Sequence, residues 1–436
     1  MVINICDYGA VPDSGIVCTA AIQKAIDACS VSGGQVRIPG GRFISGSLRL
    51  KSHIDLHLEQ GAVLQTSLNP ADIIDFSKDF EDDNPDTGWE GGCFLYAYDE
   101  EDITISGEGV IDGCGREYYT EEDTDDVHHE CPLDVKPGRP RMSFLENVRG
   151  LTIRDITFRD SAFWTIHMAG CRDVLIDSVR ILNNERGPNN DGIDPDCCTN
   201  VIIRGCIITS GDDCIVIKTT APMTAKYGEC SHIIVDSCIL RSRSSALKVG
   251  TETWGNIHHI LMSNCILKDC TRGIGIWSRD GGEISDIMIH HLIGNTRRFA
   301  DSTMRTEGVV TWWGKGDPVF VSATKREEVD RLPGRIRNLT FDQLDLVSES
   351  AVLLAGEPYA PIEDVSFTGC RIHFRHQSPH PQDCLDERPS ARGCYPADVP
   401  HACLRSCRNV SWDVRTDCDA YMAEHLIPEI RREDVS

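Results

Sequence analysis

Short β-type runs recur along this chain at nearly constant intervals, and that recurrence restricts the possible folds more than any other feature. Runs such as Leu151-Thr152-Ile153 and Val201-Ile202-Ile203 begin at positions 151, 174, 201, 233, 260 and 287, at intervals of 23, 27, 32, 27 and 27 residues. Apolar and polar residues alternate within each run, the period of a strand with one buried face. A second set lies between them, at 163–166, 214–217, 246–249, 273–276 and 351–354. Two or more strands per repeat, with no room for a crossover helix, stack as coils of a solenoid. The expectation is an all-β chain, a single-stranded right-handed parallel β-helix.

One segment reads as helix. Residues 19–29, Thr-Ala-Ala-Ile-Gln-Lys-Ala-Ile-Asp-Ala-Cys, place apolar residues at helical spacing after Thr19, a candidate N-cap. Such a helix would cover the bare end of the first coil. The expected organisation is one domain over 1–436: an entry and cap helix to about residue 50, then coils to about 425. Loop excursions are expected near 70–92, 117–141, 291–336 and 376–405, where the repeat is interrupted. Loops on a rigid scaffold usually wall a binding groove.

A formal charge of −25 excludes nucleic acid and anionic membrane surfaces as natural partners, because both demand clustered Lys and Arg. No run of about 20 apolar residues offers a membrane span. The first residues show no basic n-region or apolar h-region, so a cytoplasmic location is expected. The 21 cysteines fit that compartment as reduced, buried thiols. His128-His129-Glu130-Cys131 and Cys197-Cys198 lack paired zinc-ligand spacing, so neither a metal nor another cofactor is expected.

The chemistry concentrates in two acidic segments, Asn189-Asn190-Asp191-Gly192 and Gly211-Asp212-Asp213-Cys214. Stacked strands lie about 4.8 Å apart, so matching positions of successive coils form a file up one face. Asp191, the pair Asp212 and Asp213, Ser245, and Gly275 with Trp277 are expected at that place in four consecutive coils. A lone Gly-Asp-Asp is ordinary turn chemistry. Two acidic turns on adjacent coils are more than that: hydrolysis of a glycosidic bond needs a protonated acid and a base that activates water, with carboxyls about 6.5–9.5 Å apart in inverting enzymes. Crowded carboxylates also keep one proton available. Asn189, Lys218, Ser245, Lys248, Glu252, Trp277, Arg279 and Asp280 surround these acids in the sequence and are candidate substrate-binding residues. Trp254, Trp312 and Trp313 are further candidate sugar platforms, although packing beneath a loop accounts equally well for each. Lys218 and Lys248 should face outward, since a charge inside a coil is prohibitively costly.

These segments resemble glycoside hydrolase family 28, the polygalacturonase group. The resemblance begins at Asp7-Tyr8-Gly9-Ala10 and the helical stretch, features shared with several β-helix families. Its specific part is Asn189-Asn190-Asp191-Gly192-Ile193-Asp194 followed by Gly211-Asp212-Asp213 and Lys218, in the family's order and spacing. The resemblance implies Asp212 as general acid, with Asp191 and Asp213 holding the attacking water, and inversion at the anomeric carbon. The chain departs where the family has a Gly-His-Gly motif, aligned with Ser244-Ser245-Ala246, and an Arg-Ile-Lys motif, aligned with Gly275-Ile276-Trp277. The cations expected to grip a galacturonate carboxylate are missing there, unless Lys248 or Arg279 compensates. The expected partner is a pectin-type or related plant oligosaccharide other than plain polygalacturonate, trimmed by an exo-acting enzyme. A carbohydrate-binding protein, or a lyase or epimerase with Lys248 as base, is the alternative on the same scaffold.

Overall fold

A computed structural model describes residues 1–75, 89–120, 130–299, 313–327 and 331–436, with the side chains of 89–91 left aside. Among these residues, strands predominate and pair in parallel from one coil to the next. Contacts divide the chain into two compact units: Met1–Glu122 with Leu133–Gly211, and Asp123–Pro132 with Asp212–Ser436.

In the first unit the capping helix spans Thr19–Ser30 and buries Ile22, Ala25, Ile26 and Cys29. It begins one residue earlier than a Thr19 cap would place it. Cys18 is the N-cap and makes no side-chain capping bond, while the Thr19 hydroxyl accepts the Gly46 N–H at 2.7 Å. The helix is therefore fastened to the first coils by its opening residue. Beyond it, Leu151 and Ile153 stack on Val174 and Ile176, which stack in turn on Val201 and Ile203. All six are buried, so the odd positions of each run form the interior and the period-two pattern is explained.

The second unit repeats the device. Ile233 and Val235 pair with Ile260 and Met262, then with Ile287 and Ile289, then with Leu339 and Phe341. Cysteine closes several of these runs for a local reason: the thiols of Cys238, Cys265 and Cys370 each lie within reach of the carbonyl two residues back, at 3.3, 3.1 and 3.5 Å. A small, weakly polar side chain suits a corner where the chain turns and one carbonyl faces inward. All 21 cysteines are free thiols.

The expected loop region 291–336 holds a strand. Asp317–Ala323 pairs with Arg272–Ser278 on one side and with Val352–Ala355 on the other. The interval from its neighbour is long because residues 297–316 intervene, which hid the repeat. The region 376–405 also contains structure: an antiparallel hairpin of Cys384–Asp386 and Cys394–Pro396, and the beginning of the strand Pro400–Cys418. Residues 300–312 within the first of these regions, with Trp312, lie outside the described residues, as do His128 and His129.

Candidate active site

Asp191 belongs to the first unit, at the turn before the strand Ile193–Asp196. It is buried, at 4% exposure, and its carbonyl accepts the Thr165 N–H at 3.0 Å. Its neighbours are engaged structurally. The Asn189 amide oxygen accepts from Arg139 Nη2 at 2.8 Å. Asn190 reaches furthest: its Oδ1 accepts the Gly211 N–H at 2.8 Å, and its Nδ2 donates to the Asn184 carbonyl at 2.8 Å. The first acidic motif thus pins the glycine that opens the second. That glycine cannot be replaced, since a Cβ at position 211 would lie 2.2 Å from the Gly187 carbonyl oxygen.

Asp212 and Asp213 open the second unit, in the turn before the strand Ile215–Thr219. The turn frees both from strand alternation, in which successive residues face opposite sides. Their settings differ. Asp213 is 1% exposed; its Oδ1 accepts from Ser244 Oγ at 2.9 Å and from the Ser245 N–H at 3.0 Å. Its Oδ2 accepts from Lys248 Nζ at 2.5 Å. Asp212 is half-buried, and its carbonyl is held by Ser242 Oγ at 2.6 Å. Lys248 is itself buried: desolvation pushes its pKa down, but Asp213, then Asp212 and Glu252, raise it above its ordinary value. The ammonium stays charged as part of a bonded pair, the condition under which a buried charge is tolerated.

Register decides what lies on the next rung. Ser245 pairs with Arg272, and Lys248 pairs with Gly275. The expectation that Ser245 and Gly275 occupy matching positions is therefore corrected: three residues separate them along the strand. The reason Gly275 is glycine is Trp277. A Cβ at 275 would fall 2.1 Å from the indole Cζ3, so the ring folds back across the glycine. There it lies 5.1 Å from the Phe320 ring centroid, with Lys248 Nζ and the Arg272 guanidinium each 5.2 Å from the indole. At 1% exposure, Trp277 is packed between two cations and an aromatic ring and presents no open face.

Arg279 is also fully enclosed. It donates to the Pro389 carbonyl at 2.6 Å, to the Ser278 and Ser322 carbonyls at 3.1 and 3.0 Å, and to Ser322 Oγ at 3.2 Å. Burial, with Arg326 nearby, lowers its pKa to about 9. Its donors are committed to its own strand, to Ser322 on the neighbouring strand and to Pro389 in the loop of the hairpin. Lys218 lies 3.9 Å from Glu252. Asp280 accepts the Thr253 N–H at 2.9 Å and faces Arg326 at 3.6 Å. Burial raises the Asp280 carboxyl, against the pull of Arg326. Trp254 carries the Arg331 guanidinium on its face at 4.5 Å, and Trp313 is exposed. Arg326 escaped the sequence reading, because it follows a strand inside an expected loop and belongs to no motif.

A parallel β-helix that sets a lysine-bonded aspartate and a second, more open aspartate side by side in one turn is the class of protein these features define. Known proteins resemble this chain in part. Residues 87–290 match the family model described as glycosyl hydrolases family 28. A probable polygalacturonase of Vitis vinifera is 31% identical over 223 residues, covering 50% of this chain and 44% of that protein. An exo-poly-alpha-D-galacturonosidase of Dickeya chrysanthemi is 31% identical over 253 residues, covering 49% of this chain and 41% of that protein. The chain thus spans less than half the length of both relatives. The crystal structure of an exopolygalacturonase from Thermotoga maritima superimposes with a TM-score of 0.67 at 21% identity, covering 88% of this chain and 89% of that one. That likeness shows the fold, a right-handed parallel β-helix. Residues 87–290, somewhat less than half of the chain, thus resemble glycoside hydrolase family 28.

Proposed function

We propose that this protein hydrolyses glycosidic bonds of pectin-type or related plant oligosaccharides with inversion, acting from chain ends. The observation that carries the reading is the unequal pair in one turn. Asp213 is fixed by Ser244, Ser245 and Lys248, while Asp212 beside it is more open to a substrate. In the proposed reaction Asp212 donates its proton to the departing glycosidic oxygen. Asp213 orients water and accepts its proton as it attacks the anomeric carbon. The proton lost by Asp212 is replaced from that water, so the site is restored after each turnover.

Support for the substrate class comes from the relatives, named for activity on polygalacturonate. Support for a different substrate comes from the residues. By the resemblance, Gly275 and Trp277 align with the two cations of an Arg-Ile-Lys motif, and Arg279 directs its donors to backbone carbonyls. We also propose a reducing compartment, supported by 21 unbridged thiols.

Release of reducing ends from a panel of neutral and acidic pectic fragments tests the reading. Turnover by the native protein and none by Asp212→Asn is expected. An unsaturated uronide absorbance in place of simple hydrolysis products would move the protein to the lyases.

A further inference from the structure

The strand Ser245–Thr253 carries a bulge at the height of Lys218. Ile217 pairs with Val249 but Thr219 pairs with Thr253, so Gly250, Thr251 and Glu252 together face the single residue Lys218. Gly250 makes this possible: its φ is +92°, and a Cβ there would lie 2.4 Å from the Trp277 carbonyl oxygen. A bulge re-aims side chains out of the strand's alternation. Here it brings Glu252 Oε2 to 3.9 Å from Lys218 Nζ, with about a third of the glutamate side chain exposed.

The two following rungs continue the row. Asp280 comes just after the strand Arg272–Ser278, and Arg326 comes just after Asp317–Ala323, with Arg326 Nη2 at 3.6 Å from Asp280 Oδ2. Neither the Lys218–Glu252 nor the Arg326–Asp280 separation is a hydrogen bond. Burial would raise the Glu252 carboxyl, but Lys218, then Arg326 and Lys248, hold it below its ordinary value. Three cations therefore act on one carboxylate, and each also has an acid of the protein's own: Lys248 has Asp213, Lys218 has Glu252, Arg326 has Asp280.

We infer that Glu252 is a specificity-determining residue: its carboxylate occupies the cationic setting that a substrate carboxylate would need, so the sugar unit seated beside Lys218 and Lys248 is neutral. An entering uronate would meet Glu252 and Asp280 as like charges, at a cost in this partly desolvated setting. Hydroxyl groups of a neutral hexose, by contrast, donate to carboxylates. The inference rests on the hydrolase reading, because it supposes that Asp212 and Asp213 mark where the bond is cleaved.

The test uses digalacturonate and its carboxyl-reduced counterpart, which differ only at the acid. The native protein should cleave the reduced substrate with the higher kcat/KM. Glu252→Gln should shrink that preference about tenfold or more, chiefly by lowering KM for the acid, while Glu252→Asp should retain it. Arg326→Gln, which removes a half-buried cation just beyond a strand, should widen the preference, and gives a second reading should Glu252→Gln fold poorly. Calorimetric titration with free galacturonate and galactose supplies a measurement independent of turnover: galacturonate should bind Glu252→Gln more tightly than native protein, and galactose should not. An unchanged preference and unchanged galacturonate affinity in Glu252→Gln would overturn the inference while leaving hydrolysis intact. Native protein that cleaves neither substrate, yet shows the galacturonate gain in Glu252→Gln, would overturn the hydrolase reading alone.

Discussion

Adjacent in sequence, Asp212 and Asp213 are separated chemically by what binds them. Asp213 receives three hydrogen bonds, one from a buried ammonium, and is held in one orientation; Asp212 keeps the exposure that a proton donor to substrate requires. Asp212→Asn should lower kcat by about 10²–10⁴-fold, the usual contribution of a positioned acid, with an unfolding temperature close to native by calorimetry. These acids were legible because Asn-Asp-Gly and Gly-Asp-Asp are turn sequences whose spacing matches one coil. Arg279 was legible as a cation near the site but not as a structural one. The oxygens that claim it belong to Ser322 and Pro389, 43 and 110 residues away, and no local pattern encodes them. Arg326 was illegible for the complementary reason, being placed by a strand that the sequence repeat did not announce.

At the scale of elements, the strand Arg272–Ser278 shows how one substitution enforces another. Trp277 can lie across its own strand only because residue 275 has no side chain. Gly275→Ala should therefore destabilise the protein by about 1–3 kcal/mol, the range for overpacking. Adding Trp277→Leu should recover part of that loss, since the two positions share one space. Denaturant unfolding of the two single variants and the double variant would show this coupling; strictly additive losses would contradict the packing. Runs with clean period-two alternation and intervals of 23 to 32 residues could be read as strands directly from the sequence. Asp317–Ala323 could not, because residues between the coils stretched its interval. The hairpin of Cys384–Asp386 and Cys394–Pro396 was equally hidden. Its two strands are three residues each, and its anchors are buried ions from distant rungs: Arg272 donates to the Asp386 carbonyl, and Arg405 donates to Glu387.

For the molecule as a whole, those buried ions set the acid limit of stability. Burial alone would raise the Asp386 carboxyl, but hydrogen bonds from Arg388 and the charges of Arg272, Arg388 and Lys315 bring it from 3.8 to about 2. A folded value below the unfolded one stabilises the native state above the unfolded pKa, and that stabilisation is lost as pH falls toward the folded value. The difference is worth about 2 kcal/mol. The gap in unfolding free energy between native protein and Asp386→Asn should accordingly narrow by about that amount from pH 6 to pH 2. A gap independent of pH would remove Asp386 from the account. The Glu387 carboxyl is likewise lowered by Arg405 against its burial, so acid sensitivity should steepen over the same window. Thiol titration in denaturant without reductant should count 21 groups, the number of unbridged cysteines; a lower count would reveal disulfides and an oxidising compartment.

The proposed chemistry is direct attack of water on the anomeric carbon, with Asp212 as acid and Asp213 as base. Proton NMR of a pectic oligosaccharide during the first minutes of reaction reports the anomeric configuration of the new reducing end before mutarotation. The inverted anomer is expected to appear first. A first product that retains the substrate's configuration would contradict it, as would an unsaturated product.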